Sequence, residues 1–217
     1  MKIAVLGTGT VGSTIGSRLI ELGHTVMMCS RTANNEKAKA FVAKHSSNAL
    51  AGTFADAAAY GEIIFNCTAG VASLEALNLA GEKNLNGKII VDIANPLDFS
   101  KGMPPSLSVV NTNSLGEEIQ KAFPEAKVVK TLNTMWCGLM VNPGLINNGD
   151  HNVFISSDHP EAKEEVKKIL ESFGWKPENI TDLGNLSSAR GTEMFLPLWL
   201  QIYGAKKSGT FNIKIVG

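Results

Sequence analysis

The chain is poor in charge of either sign: 18% of its 217 residues are charged, and twenty Lys and Arg stand against twenty Asp and Glu. A balance of zero supplies no field for a nucleic acid or an acidic membrane surface, which excludes partners held mainly by charge. Cysteine is scarce as well. Cys29, Cys67 and Cys137 are odd in number, far apart and never in a Cys-x-x-Cys pair, which excludes a disulfide framework and reads as reduced thiols. No apolar run reaches the eighteen or so residues a membrane span needs. The opening Met1–Leu6 runs straight into Gly7, without the apolar stretch or cleavage site of a secretory leader. These absences predict a cytoplasmic protein with a small-molecule partner. What is present is 44% hydrophobic residues over a length that suits one domain with a full core.

The pattern alternates between strand and helix. A strand over Lys2–Leu6 meets Gly7-Thr8-Gly9-Thr10-Val11-Gly12, and a helix follows to Leu22, with Val11, Ile15, Leu19 and Leu22 on one face and Gly23 where a C-terminal cap belongs. Further strands are predicted at 25–29, 49–53, 62–67, 88–93, 127–132, 152–156 and 179–183. Helices are predicted near 34–44, 72–80, 114–122 and 160–173, the third opened by a Ser114/Glu117 capping box. Such alternation means a mostly parallel, Rossmann-type doubly wound sheet, and the unbroken apolar runs Ile63-Ile64-Phe65 and Ile89-Ile90-Val91 fit strands covered on both faces. The stretch 142–150 reads as a surface loop. Met194–Tyr203 is apolar nearly all round, so as a helix it needs burial in the protein, under a ligand or against another subunit, with Pro197 near its start or at a kink. The tail after Gly209 alternates like a short docked strand.

The glycine turn follows a strand and opens a helix, the context that distinguishes a dinucleotide site from a merely structural turn. Gly7 and Gly9 let the backbone approach a pyrophosphate, Gly12 lets the helix pack closely, and the helix N-terminus offers free N–H donors. At the end of the second strand stands Ser30-Arg31-Thr32, where an NAD site would carry a carboxylate. Arg31 can fork onto a 2′-phosphate, Ser30 and Thr32 offer hydroxyls and Lys37 adds charge, which predicts NADP; a solvated surface arginine is the alternative. Ligands lie beyond the C-terminal strand ends, here Cys67-Thr68-Ala69, Ala94-Asn95-Pro96 and Asn133-Thr134-Met135, although such residues are also ordinary turn formers.

A dehydrogenase acting on an alcohol needs an acid or base beside the hydride. His24, His45, His151 and His159 read as surface residues, Arg190 and Glu193 as a structural i,i+3 pair, and no cluster has metal-ligand spacing. No catalytic side chain is assigned. Hydride transfer between two redox rings dispenses with one, since stacking at the right distance is the main requirement, and Met135, Trp136 and the 194–203 segment are expected to wall the second ring.

The motifs Gly7–Gly12, Ser30-Arg31, Leu132-Asn133-Thr134 and Leu183–Arg190 together resemble the coenzyme F-420-dependent NADP oxidoreductase family over nearly the whole chain. Asn133-Thr134 is also similar to the strand end of the STEAP metalloreductases' reductase domain. The resemblance implies a Rossmann domain with a small C-terminal portion, commonly a homodimer, that passes hydride between NADPH and a deazaflavin or flavin without a side-chain acid or base. It also implies a 2′-phosphate site at Ser30 and Arg31 and turn contacts over Thr8–Val11. The chain departs from archaeal members at Asn133-Thr134, where His-Thr is common, and at Thr68-Ala69, where Ile-Pro is common. The expected division is a nucleotide-binding domain over 1–184 and a segment over 185–217 that closes the second-cofactor pocket. The competing functions are a reductase of a small imine or keto acid and a non-catalytic NADPH sensor.

Overall fold

The computed structural model describes the backbone of residues 1–217 and every side chain except that of Ser46. In chain order the elements are β1 (Lys2–Leu6), α1 (Thr10–Glu21), β2 (Thr25–Ser30), α2 (Glu36–His45), β3 (Ala49–Thr53), α3 (Phe54–Tyr60), β4 (Ile63–Asn66), α4 (Ser73–Ala80), α5 (Glu82–Leu85) and β5 (Ile89–Asp92). There follow β6 (Leu97–Asp98), β7 (Ser106–Leu107), α6 (Leu115–Ala122), β8 (Lys127–Thr131), α7 (Cys137–Val141), β9 (Val153–Ser156), α8 (Pro160–Ser172), β10 (Ile180–Asp182), α9 (Ala189–Met194) and α10 (Leu196–Lys206).

Eight strands form one sheet in the order β3-β2-β1-β4-β5-β8-β9-β10. The first six run parallel and β9 turns antiparallel to β8. This is the doubly wound α/β class that the alternation predicts. Strand periodicity divides the core: Ile3 and Val5 join Ile15, Leu19 and Ile169 on one face, while Ala4 and Leu6 join Ala57, Leu77 and Ile119 on the other. Each such Ile, Leu or Val side chain contributes about 1.5–3 kcal/mol by burial, and together they fix which strand ends line up at the C-terminal edge.

Several expectations need correction. Helix α3 lies where none is predicted, although its signal is present: Asp56 N–H donates to Thr53 Oγ1 at 3.2 Å and Thr53 N–H to Asp56 Oδ2 at 2.9 Å, a capping box. The short β6-β7 hairpin is likewise unforeseen. Residues 142–150 are largely exposed, as a surface loop should be, but contain two 3-10 turns that bury Pro143 and Gly149. His151 is not a surface residue: its Nε2 lies 2.9 Å from the Pro143 carbonyl and its ring sits edge-on to Trp175. The tail docks without regular strand pairing, through Asn152 N–H to the Ile213 carbonyl and Ile215 N–H to Asn152 Oδ1. Pro197 sits in the first turn of α10, as Pro tolerates. Yet the burial expected of this apolar helix is not met within one chain: Leu196 alone is buried, while Leu198 and Tyr203 are exposed.

Candidate active site

The turn after β1 is made of glycine for two separable reasons. Gly7 has φ +111°, and a Cβ on it would stand 2.6 Å from the Cys67 carbonyl oxygen, while a Cβ on Gly12 would stand 2.1 Å from that of Gly7. Both are therefore packing glycines, including Gly7, which the sequence suggests as a ligand-approach position. Gly9 differs: a Cβ there would meet nothing within 4 Å, so its missing side chain leaves backbone open to a ligand. Gly9 is also the N-cap of the twelve-residue α1, and no side chain caps the first-turn amides. Free amides at a helix N-terminus are what an anion needs.

Two adjoining cavities open at the C-terminal edge. One of about 550 Å³ runs from Gly7, Thr8 and Gly9 past Ser30, Arg31 and Thr32 to an α4 wall that includes Ala76 and Leu79. The other, about 240 Å³, is lined by Val11, Thr68, Ala94 and Asn95, with Val71, Leu97 and Phe99 as a greasy rim. Cys67, Thr68 and Ala69 border both. Arg31 is exposed and makes no ion pair among the described residues, leaving its fork free. Ser30 is more committed, donating from Oγ to the Thr32 carbonyl at 2.8 Å. Lys37 and Thr10 fall on a different hollow, about 440 Å³, across Thr8 and Gly9 from Arg31.

The third strand end is not brought to these cavities as a group. Leu132, buried, takes φ +62°, a left-handed conformation that costs a branched residue about 1–2 kcal/mol and that the surrounding core must impose. The chain beyond it brings Asn133 to Asn95: Asn95 Nδ2 donates to the Asn133 carbonyl and Asn133 Nδ2 to Asn95 Oδ1, each at 2.9 Å. Asn133 thus props a lining residue. Thr134 borders a separate apolar hollow of about 250 Å³ with Phe195 and Ile213, and Met135 is buried in the core. Trp136 packs on Gly138 and Gly209. Burial pushes the Cys29 and Cys67 thiols well up, so both are neutral rather than nucleophilic.

Beneath the strand ends lies a buried ionic cluster that the sequence reading missed. Lys130 Nζ donates to Asp92 Oδ2 at 2.8 Å, to Glu193 Oε1 at 2.7 Å and to the Ala94 carbonyl at 2.5 Å, using all three of its protons. Glu193 also accepts from the Leu115 and Gly116 amides, at 2.8 and 3.1 Å, and so caps α6 alongside Ser114. The supposed Arg190–Glu193 pair does not form, because Arg190 forks onto Glu117 at 2.8 and 2.5 Å. Burial raises the Glu193 carboxyl against the pull of Lys130; nevertheless three N–H donors converge on it, and the ionised form is the one this geometry holds. Asp92 Oδ1 accepts from Asn66 Nδ2 at 2.8 Å, and Asn66 Oδ1 accepts from the Thr68 hydroxyl at 2.7 Å, so the cluster reaches the cavity wall. The available signal was a charged residue beside the apolar run of each of two predicted strands, Asp92 after Ile89-Ile90-Val91 and Lys130 after Val128-Val129.

A glycine cradle with free helix amides, an unpaired arginine at the β2 end and a second hollow beyond stand together at the C-terminal edge of the sheet, where open α/β folds bind their ligands. The family pattern described as NADP oxidoreductase, coenzyme F-420-dependent, matches residues 2–96. A solved structure from Arthrobacter sp. FB24, described provisionally as an F-420-dependent NADP-reductase, is 50% identical, with all of both chains covered and a TM-score of 0.94. The metalloreductase STEAP3 of Rattus norvegicus is 29% identical over 204 residues, covering 91% of this chain; the chain spans 38% of that protein's length. A reductive aminase from Aspergillus terreus, solved with NADPH and ethyl levulinate, shares the fold at 20% identity and a TM-score of 0.66, with 95% of this chain and 62% of that one covered. The chain belongs to the coenzyme F-420-dependent NADP oxidoreductase family, and NADP(H) is its cofactor. No helix among the described residues is long and apolar enough to cross a membrane.

Proposed function

We propose that this protein passes hydride between NADP(H) and a planar ring acceptor, the deazaflavin F-420 or a flavin, without a side-chain acid or base. The observation that carries the reading is the character of the 240 Å³ hollow: its lining is small, apolar or amide, and its one titratable group is the neutral Cys67 thiol. NADP(H) supplies the hydride, two electrons with one proton, and any further proton the acceptor needs comes from solvent. Gly9 and the amides of Thr10, Val11 and Gly12 hold the pyrophosphate. Arg31 forks onto the 2′-phosphate, aided by Ser30 and Thr32, with Lys37 adding charge from across the turn. Thr68, Ala69, Ala94 and Asn95 seat the nicotinamide half, and Val71, Leu97 and Phe99 exclude water from the acceptor.

The unit over 1–184 holds the nucleotide, and 185–217 packs beside it, with Phe195 and Ile213 bordering the separate hollow at Thr134. The exposed apolar side of α10 suits a second copy of the chain, which light scattering would report as a dimer. Separated, reduced thiols suit the cytoplasm.

The test is anaerobic oxidation of NADPH, and separately NADH, against F-420, FMN, FAD, riboflavin and a ferric chelate. Fast, NADPH-specific reduction of one ring acceptor is expected. Tight NADPH binding without turnover on any of them would overturn the reading.

A further inference from the structure

The buried cluster contains two carboxylates and one ammonium, so it carries one unmatched negative charge. Asp92, Lys130 and Glu193 have side chains no more than 2% exposed, which leaves water and salt little room to screen that charge. The α6 amides that Glu193 caps stabilise it by hydrogen bonds, but a helix end contributes a dipole, whose influence fades within a turn. The charge lies directly behind the acceptor hollow. Ala94, which lines the hollow, is clasped from both sides: its N–H donates to Asp92 Oδ1 at 3.2 Å and its carbonyl accepts from Lys130. The opposite wall is joined through Asn66 to Thr68.

As a way of joining β5, β8 and α9, such a cluster is costly, because apolar residues of similar volume would serve stability as well. Its sign gives it a second consequence. When hydride leaves, with its electron pair and proton, for the ring acceptor, the nicotinamide goes from neutral to positively charged. A fixed negative charge under the site favours the charged form. We propose that Asp92 and Glu193, shared by Lys130, act as positioning residues that tune the bound nucleotide electrostatically: they favour NADP+ over NADPH and so drive hydride outward to the acceptor. The inference rests on the placing of the nicotinamide half at Thr68, Ala94 and Asn95 proposed above.

The experiment compares dissociation constants for NADP+ and NADPH by titration, without any acceptor, in the wild-type protein and in Glu193→Gln. Asp92→Asn serves as an independent variant should the first not fold, and the exposed Glu161→Gln as a control. Removing either buried carboxylate should weaken NADP+ relative to NADPH by about fivefold, raising the midpoint potential of the bound couple by about 20 mV, since tenfold corresponds to about 30 mV for two electrons. The control should leave the ratio unchanged. A ratio within twofold of wild type in a folded buried-site variant would overturn the inference while leaving the binding site intact, and so would an equal shift in Glu161→Gln. Failure of the wild-type protein to bind either nucleotide would bring down the site assignment itself, and this inference with it.

Discussion

The glycine turn and the buried ionic cluster are two solutions to handling charge at one edge of the same sheet. The turn is local, spanning Gly7 to Gly12, and leaves backbone amides free beside an exposed arginine, the groups we propose to meet a ligand's charge. The cluster is assembled from residues 92, 130 and 193, is closed to solvent, and is bonded by its own side chains and by backbone groups of α6 and Ala94, with one negative charge in excess. A site built to receive an anion must be left incomplete, with free amides and an unpaired cation, whereas a group built to stay charged inside the protein must be bonded in every direction. Substitutions should therefore separate the two: at the ligand-facing positions of the turn they should strike binding alone, and at the cluster they should strike stability and, in binding, only the balance between the two nucleotide forms.

The largest effect is expected at the cluster. Lys130→Met keeps the volume but strands Asp92 and Glu193 as buried carboxylates, and breaking a buried pair in this way costs about 3–5 kcal/mol. Urea denaturation should show the loss directly. Adding Glu193→Gln to that variant should recover part of it, because one of the stranded charges is gone; no recovery would mean that Lys130 acts through packing alone. Gly12→Ala comes next. Its Cβ would collide with the Gly7 carbonyl, a backbone atom that cannot swing aside, so about 1–3 kcal/mol of stability should go, together with nucleotide binding. A turn that absorbs the methyl and binds NADPH at wild-type affinity would erase the contrast between packing and approach glycines.

Arg31→Ala should leave stability alone, since the side chain makes no ion pair in the fold. A charge-assisted fork onto a phosphate contributes about 1.5–3 kcal/mol, so NADPH affinity should fall roughly ten- to a hundredfold while NADH affinity holds. Equal losses for the two nucleotides would remove Arg31 from the 2′-phosphate site.

The same division explains what the sequence made legible. The glycine turn, the Ser30-Arg31 strand end and the mostly parallel character of the sheet are read from short windows, because a strand–turn–helix unit and its periodicity are local. Even there the packing role of Gly7 was not legible, since only the fold shows the Cys67 carbonyl against it, while Gly7 also borders the cavity. Asn133 reached the site indirectly, through Asn95, and Met135 went into the core, because the left-handed Leu132 turns the chain in a way no window announces. The cluster is the extreme case: Arg190 and Glu193 look like helix neighbours, yet each is claimed by a residue more than sixty positions away. Tertiary partners outcompete an i,i+3 pair whose own contribution is small.

The smallest effect sharpens the comparison from the rim of the cluster. Glu117 is held below the usual carboxylate range, chiefly by its hydrogen bond to Arg190, with Ser114 assisting. A carboxyl whose folded value is depressed stabilises the fold above its unfolded value, near 4.5, and loses that contribution as pH falls through the folded one. The pair is partly open to solvent, so its contribution is a minor share of the total and is weakened by salt. Urea midpoints of wild type and Glu117→Gln should therefore differ slightly and constantly at neutral pH, and the gap should close only below about pH 4.5. The gap should also shrink as salt is added, which the buried Lys130 deficit should not do. A Glu117 gap indifferent to salt would place this pair with the buried cluster rather than at its solvated edge, and the boundary between the two regions would have to be redrawn through α6.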